Sequence, residues 1–152
     1  MITHTLAVDG GGTKTAVRLK KIEPTSIVIE EFILPATSLT LYGEAAVTQL
    51  THYIDEILAT NQIIPKQCYI VLGVAGAGNT QLKSKLKSAL AHCPHLYITT
   101  DAEASVFGAN AGQGVNCIAI GTGSVAIQLD SLHETLQFGG WGFPIGDQGG
   151  GA

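Results

Sequence analysis

Apolar and polar residues alternate through residues 4–9, 14–20 and 26–34, the period-two signature of strands. Glycines 10–12 separate the first two runs, and Lys21 to Thr25, with Pro24, reads as the turn before the third. Connections this short predict three sequential antiparallel strands. From Tyr42 to Thr60 the period changes: Val47, Leu50, Tyr53 or Ile54, Ile57 and Leu58 recur at helical spacing. Pro65 ends that connection. Cys68 to Val74 is a nearly continuous apolar run, as expected of a strand covered on both faces. Asn79 is placed to cap a helix whose apolar face is Leu82, Leu86, Ala89 and Leu90, with Lys83, Lys85 and Lys87 on its solvated side. Leu96 to Thr99 predicts another buried strand, and Asp101 to Ala111 a helix of small residues.

Gly112 to Gly114 interrupts the pattern, which then restarts. Val115 to Ile120 predicts a strand, Gly121 to Gly123 a turn, Ser124 to Leu129 a returning strand, and His133 to Phe138 a third. The second opening echoes the first: strand, Gly/Thr turn, strand, strand. The expected organisation is a mixed α/β domain over residues 1–113 and the start of a second, similar domain over residues 114–152. Three strands alone leave one face and one edge bare. The expectation is therefore that the chain is the N-terminal part of a longer protein, or that another copy covers that face.

Composition narrows the class. The chain has 152 residues, 45% hydrophobic and only 13% charged, so it can build a buried core. A net charge of −4 argues against a nucleic-acid footprint. No apolar run approaches the roughly 18 residues of a membrane span, and no signal peptide is visible. Cys68, Cys93 and Cys117 are odd in number and far apart, which fits a reducing cytoplasm better than a disulfide framework or a zinc ribbon. His92-Cys93-Pro94-His95 has metal-binding residue types, but it falls between a helix and a strand where Pro marks a turn, so it reads as a loop.

Candidate chemistry lies where strands end. Asp9-Gly10-Gly11-Gly12-Thr13-Lys14-Thr15 makes a hairpin tip of almost bare backbone. Glycine permits positive φ and close approach to a ligand, and successive N–H groups in such a turn form an anion-binding nest. Asp9 can hold a metal, or its water, beside that nest. The run lacks the G-x-x-x-x-G-K-[ST] spacing of one phosphate loop. It enters a strand, unlike the dinucleotide fingerprint, which opens a helix. Gly73 to Gly78 follows a strand at the edge where open α/β sheets bind ligands; a plain flexible loop is the alternative. Asp101, in Thr99-Thr100-Asp101-Ala102-Glu103, is either a helix cap or a general base facing a crevice. Gly121-Thr122-Gly123-Ser124 is either a second phosphate hairpin or a tight turn. The last fifteen residues, from Phe138, hold seven of the nineteen glycines together with Trp141 and Asp147, a composition suited to a ligand loop or to a loose tail.

In that order, these motifs resemble those of N-acetylglucosamine kinases and the wider BadF/BadG/BcrA/BcrD ATPase family, which joins such kinases with the activator ATPases of acyl-CoA reductases and dehydratases. The resemblance extends from Asp9 to Gly151 and implies a ribonuclease H-like, actin-like ATPase fold. It further implies that ATP phosphates lie on Gly10, Gly11, Gly12, Thr13 and Lys14, gripped from the second domain by Gly121, Thr122, Gly123 and Ser124. Asp9 would sit near Mg²⁺, a water molecule away, and Asp101 would accept the proton of the sugar hydroxyl. Ser38, Gly140, Trp141 and Asp147 would meet the sugar. Two departures bear on which sugar: Thr37-Ser38 stands where mammalian-type kinases carry an Asn, and Asp147-Gln148-Gly149-Gly150 replaces Asp-Glu-Gly-Ser.

The expected function is therefore ATP- and Mg²⁺-dependent phosphorylation of an amino sugar, N-acetylglucosamine or glucosamine, by a cytoplasmic enzyme. No nucleic-acid or membrane partner is expected, and a homodimer is compatible. An activator ATPase is the alternative, disfavoured because Cys117 falls within a strand rather than a ligand loop. A non-enzymatic nucleotide-binding regulator on the same fold is a third.

Overall fold

Three antiparallel strands open the chain: β1 (His4–Gly10), β2 (Lys14–Lys21) and β3 (Ile27–Pro35). A short helix α1 (Leu39–Tyr42) and a long helix α2 (Glu44–Thr60) follow, then a 3₁₀ turn at Pro65–Gln67, β4 (Cys68–Val74), α3 (Thr80–Ala89) and β5 (Leu96–Thr99). The computed structural model describes residues 1–22, 27–120, 123–140 and 146. The chain divides into two compact units, Met1–Asp101 and Ala102–Ala152.

The five strands of the first unit lie in the order β3-β2-β1-β4-β5. β1 runs antiparallel to β2, from His4 opposite Lys21 to Gly10 opposite Thr15. On its other side it is parallel to β4, with Asp9 beside Gly73. β5 adds parallel to β4, with Gly73 beside Thr99. Strand alternation turns Leu6, Val8, Val17, Leu19, Ile70 and Leu72 to one face, where all are buried. Helices α2 and α3 cover that face with Leu50, Ile54, Ile57, Leu58 and Leu86. Leu50 and Ile54 are fully buried, and removing each from water stabilises the fold by about 1.5–3 kcal/mol.

Two sequence expectations shift here. The long helix begins at Glu44, because Gly43 adopts φ 53 and leaves Tyr42 in α1. β4 alternates rather than being buried throughout: Cys68, Ile70, Leu72 and Val74 are buried, while Tyr69 is exposed and Val71 half-buried. The reason is that α2 and α3 both pack on the same side of the sheet.

Helix α4 (Asp101–Ala109) leads into the second unit, which holds β6 (Val115–Ile120), β7 (Ser124–Leu129) and β8 (Thr135–Gly139) in the antiparallel order β6-β7-β8. Val106 of α4 packs with Ile127 and Leu129, and Phe107, Val115, Cys117 and Val125 close around them. α4 stops short of the predicted end, where Ala111 and Gly112 take positive φ. β8 starts later than predicted because His133 has φ 63 and belongs to a turn. Asp130 holds that turn by accepting from the N–H groups of Leu132 and Glu134. Ile118, Ile120, Leu136 and Phe138 are exposed.

Candidate functional site

β1, β4 and β5 are parallel and end at the same edge of the first unit's sheet. Asp9, Gly73 and Thr99 stand side by side there in register, so they share one face. Gly73 lies between the other two and adds no side chain. Asp101 follows β5 after one residue. The Asp9 carboxyl is held above its ordinary range by loss of hydration and then by the negative charge of Asp101, with Lys14 opposing both. Although Asp9 reaches solvent, its surroundings strip away part of its water. An edge carrying two mutually repelling carboxylates favours a cation.

The glycine hairpin abuts this edge. The Gly11 N–H donates to the Lys14 carbonyl (3.0 Å) and closes the turn. Gly12, Thr13 and Lys14 are exposed at the tip. Gly10 must be glycine: a Cβ there would sit 2.7 Å from Thr37 Oγ1 and 3.2 Å from Val74 Cγ1. The Gly10 carbonyl accepts from the Ala75 N–H (2.8 Å), the Gly11 carbonyl from the Thr37 N–H (3.2 Å), and the Ala75 carbonyl from the Leu39 N–H (2.8 Å). Three loops are thus laced together: the hairpin, the segment after β3 and the segment after β4. Gly76, at φ 86, comes so close to α1 that a Cβ would collide with the Thr40 backbone.

Ser38 is almost fully buried, and its hydroxyl accepts from the Leu41 N–H (3.3 Å), capping α1. Its capping role was not visible in the sequence. The contact between Thr15 and Thr37 was also missed: both are fully buried, with their hydroxyl oxygens 2.7 Å apart. The available signal was Thr15 itself, a polar residue at an inward position of a strand that otherwise turns Val17 and Leu19 inward.

In the second unit, Gly123 and Ser124 lie at the start of β7. Gly140, at φ 72, donates its N–H to the Ser124 carbonyl (3.1 Å). One residue expected at the sugar and one expected at the phosphates are therefore neighbours. Gly121, Thr122, Trp141 and Asp147 lie outside the described residues.

Two of the three thiols, Cys68 and Cys93, are buried. Burial pushes Cys68 and Cys93 up to about 11, so both stay protonated at neutral pH. His92 pairs with Asp55 at 2.8 Å. Among the described residues, no group of three or more His, Cys, Asp and Glu is placed to hold a metal ion. No helix among them is long and apolar enough to cross a membrane.

Known proteins match this chain over nearly its whole length. It is 27% identical over 152 residues to the N-acetylmuramic acid/N-acetylglucosamine kinase of Clostridium acetobutylicum, a match covering 97% of this chain and 49% of that protein. A Chromobacterium violaceum structure, provisionally assigned as an N-acetylglucosamine kinase, superposes with a TM-score of 0.83 at 27% identity, covering 98% of this chain and 53% of the other. MreB5 of Spiroplasma citri, solved with AMPPNP, shares the fold alone: TM-score 0.55, 12% identity, 91% and 53% coverage. The architecture is thus the mixed α/β fold of the sugar kinases and actin-like ATPases. The chain spans about half the length of the relatives it matches. The profile of one family fits residues 6–152, from within β1 onward, and the chain belongs to that family, the BadF/BadG/BcrA/BcrD ATPase family.

Proposed function

We propose that this chain carries the phosphate-binding and proton-accepting part of an ATP-dependent sugar kinase acting on an amino sugar, N-acetylglucosamine or glucosamine. The observation that carries the reading is placement: Asp9, in register with Gly73 and Thr99, and Asp101, two residues past Thr99, stand at the sheet edge that also bears the glycine hairpin. The names of the two 27%-identical relatives point the same way.

In this reading the backbone of Gly10, Gly11, Gly12 and Thr13, with Lys14, holds the nucleotide phosphates. Gly121, Thr122, Gly123 and Ser124 hold them from the second domain, residues 114–152. Asp101 accepts the proton of the sugar hydroxyl as its oxygen bonds to the γ-phosphorus. The bond from that phosphorus to the bridging oxygen then breaks, and ADP leaves. Positioning and charge neutralisation supply most of such a rate enhancement. Ser38, Gly140, Trp141 and Asp147 contact the sugar.

Mg²⁺ fits the residues present. It prefers oxygen donors and is commonly bound through one or two carboxylates plus substrate phosphates and water rather than by an all-protein cage. Asp9, whose proton affinity is raised beside Asp101, is the residue to hold it through a water. When bound, the ion neutralises phosphate charge. In this reading the enzyme works in the cytoplasm, where ATP and its sugar substrate would meet.

The test is the full-length protein with ATP and Mg²⁺ against a panel of hexoses and amino sugars, reading ADP release. Release that depends on an amino sugar supports the proposal. Release indifferent to every sugar, or none, defeats it.

A further inference from the structure

Beneath the glycine hairpin lies a polar link that no sequence motif announces. Thr15, the first inward residue of β2, and Thr37, two residues beyond β3, are both fully buried. The Thr15 hydroxyl donates to the Pro35 carbonyl at 2.8 Å. It lies 2.7 Å from the Thr37 hydroxyl. A hydroxyl carries one proton. With the Thr15 proton given to Pro35, Thr37 must be the donor to Thr15. The direction is therefore fixed: Thr37 to Thr15 to Pro35.

The link sits where it can set loop geometry. Thr37 Oγ1 occupies the space beside Gly10 that a Cβ would need. The Thr37 N–H donates to the Gly11 carbonyl at 3.2 Å. Thr37 thus grips the hairpin twice, by its main chain at Gly11 and by its side chain through Thr15. The next residue, Ser38, caps α1.

We infer that Thr37 is a positioning residue: its hydroxyl, through Thr15, holds the glycine hairpin in the geometry that receives nucleotide phosphates. Its neighbour Ser38 makes the same link the mechanical connection between the phosphate loop and the segment assigned to the sugar. The inference rests on the functional reading above for the identity of the ligand.

The test compares Thr37→Val, which keeps the shape and removes the hydroxyl, with Thr37→Ser, which keeps the hydroxyl. Both are made in the full-length protein. Affinity for Mg²⁺-ADP is measured by titration calorimetry, with thermal melting alongside. The expected result is a loss of about fivefold or more in affinity for the valine variant, as for one forfeited hydrogen bond, with the serine variant close to wild type. The two variants are compared at a temperature where both are fully folded, so a stability loss alone does not move the readout. Equal affinities for the valine variant and wild type, or equal losses in valine and serine, overturn the inference and leave the kinase proposal standing. Wild-type protein that fails to bind Mg²⁺-ADP overturns both. Wild-type protein that binds ADP, shows the valine–serine difference and phosphorylates no sugar supports the inference and defeats the kinase reading.

Discussion

Loss of hydration and then the negative charge of Asp101 raise the proton affinity of Asp9, the penultimate residue of the central strand β1. Lys14 offsets part of that negative charge, and a bound cation would offset more. If Asp101 is the base of a phosphoryl transfer, Asp101→Asn in the full-length enzyme lowers kcat by about 10²–10⁴-fold. Nucleotide affinity stays near that of wild type, because Asp101 faces the acceptor in this scheme. Steady-state kinetics and ADP titration check the two halves separately, and an unchanged kcat removes Asp101 from the mechanism.

Asp9 makes stability depend on pH in a stated direction. Its carboxyl is raised in the folded state, first by burial and then by Asp101. A raised group favours folding when protonated. That contribution is fully present below the unfolded-state value, near 3.9, and is lost as pH rises through the folded-state value. Asp9→Asn therefore melts at a higher temperature than wild type at neutral pH, and the gap narrows as the pH falls towards about 4. The same variant loses ATP-dependent turnover. Melting curves across the acid range check the first statement, and an equal gap at every pH contradicts it.

Two glycines separate backbone strain from crowding. Gly43 and Gly76 both have positive φ, but a Cβ at Gly43 meets nothing within 4 Å, whereas one at Gly76 strikes the Thr40 main chain. Gly43→Ala is expected to cost about 1–3 kcal/mol, because φ 53 with ψ −124 is a sparsely populated backbone region for an L residue. Gly76→Ala adds an overpacking penalty, for a total of about 2–6 kcal/mol. Urea unfolding of the two variants gives the comparison, and equal costs would refute it.

Asn79 caps α3, accepting from the N–H groups of Gln81 (3.0 Å) and Leu82 (3.1 Å). Asn79→Ala is expected to cost about 1 kcal/mol, and Asn79→Asp or Asn79→Ser to restore most of it. Thermal denaturation of the series checks this, and a costless alanine shows the cap to be idle.

Much of this was legible because it is local. Period-two alternation around a glycine turn located β1 and β2, and helical spacing located α2 and α3. Asn79 was readable as a cap because caps are set by the next three residues. What escaped depends on residues far apart in the chain. Thr15 and Thr37 meet only after β2 and β3 pair, across 22 positions. Ser38 carried no sign that its hydroxyl serves α1. The break at Gly43 was hidden by apolar spacing that continues across it. Asp9 and Asp101 were each readable as acids at strand ends, yet their interaction depends on β4 lying between β1 and β5. Trp141 and Asp147, expected at the sugar, lie outside the described residues.

The central position of β1 has a consequence for biosynthesis. One flank is satisfied early by β2, but the other waits for β4: the partner of His4 is Cys68, 64 positions later. At a ribosomal pace of about 5–20 residues per second, that flank stays open for roughly 3–13 s on the nascent chain. Over that interval the emerging hairpin offers free amide and carbonyl groups to any extended peptide nearby, and this exposure ends only once β4 has emerged through Val74.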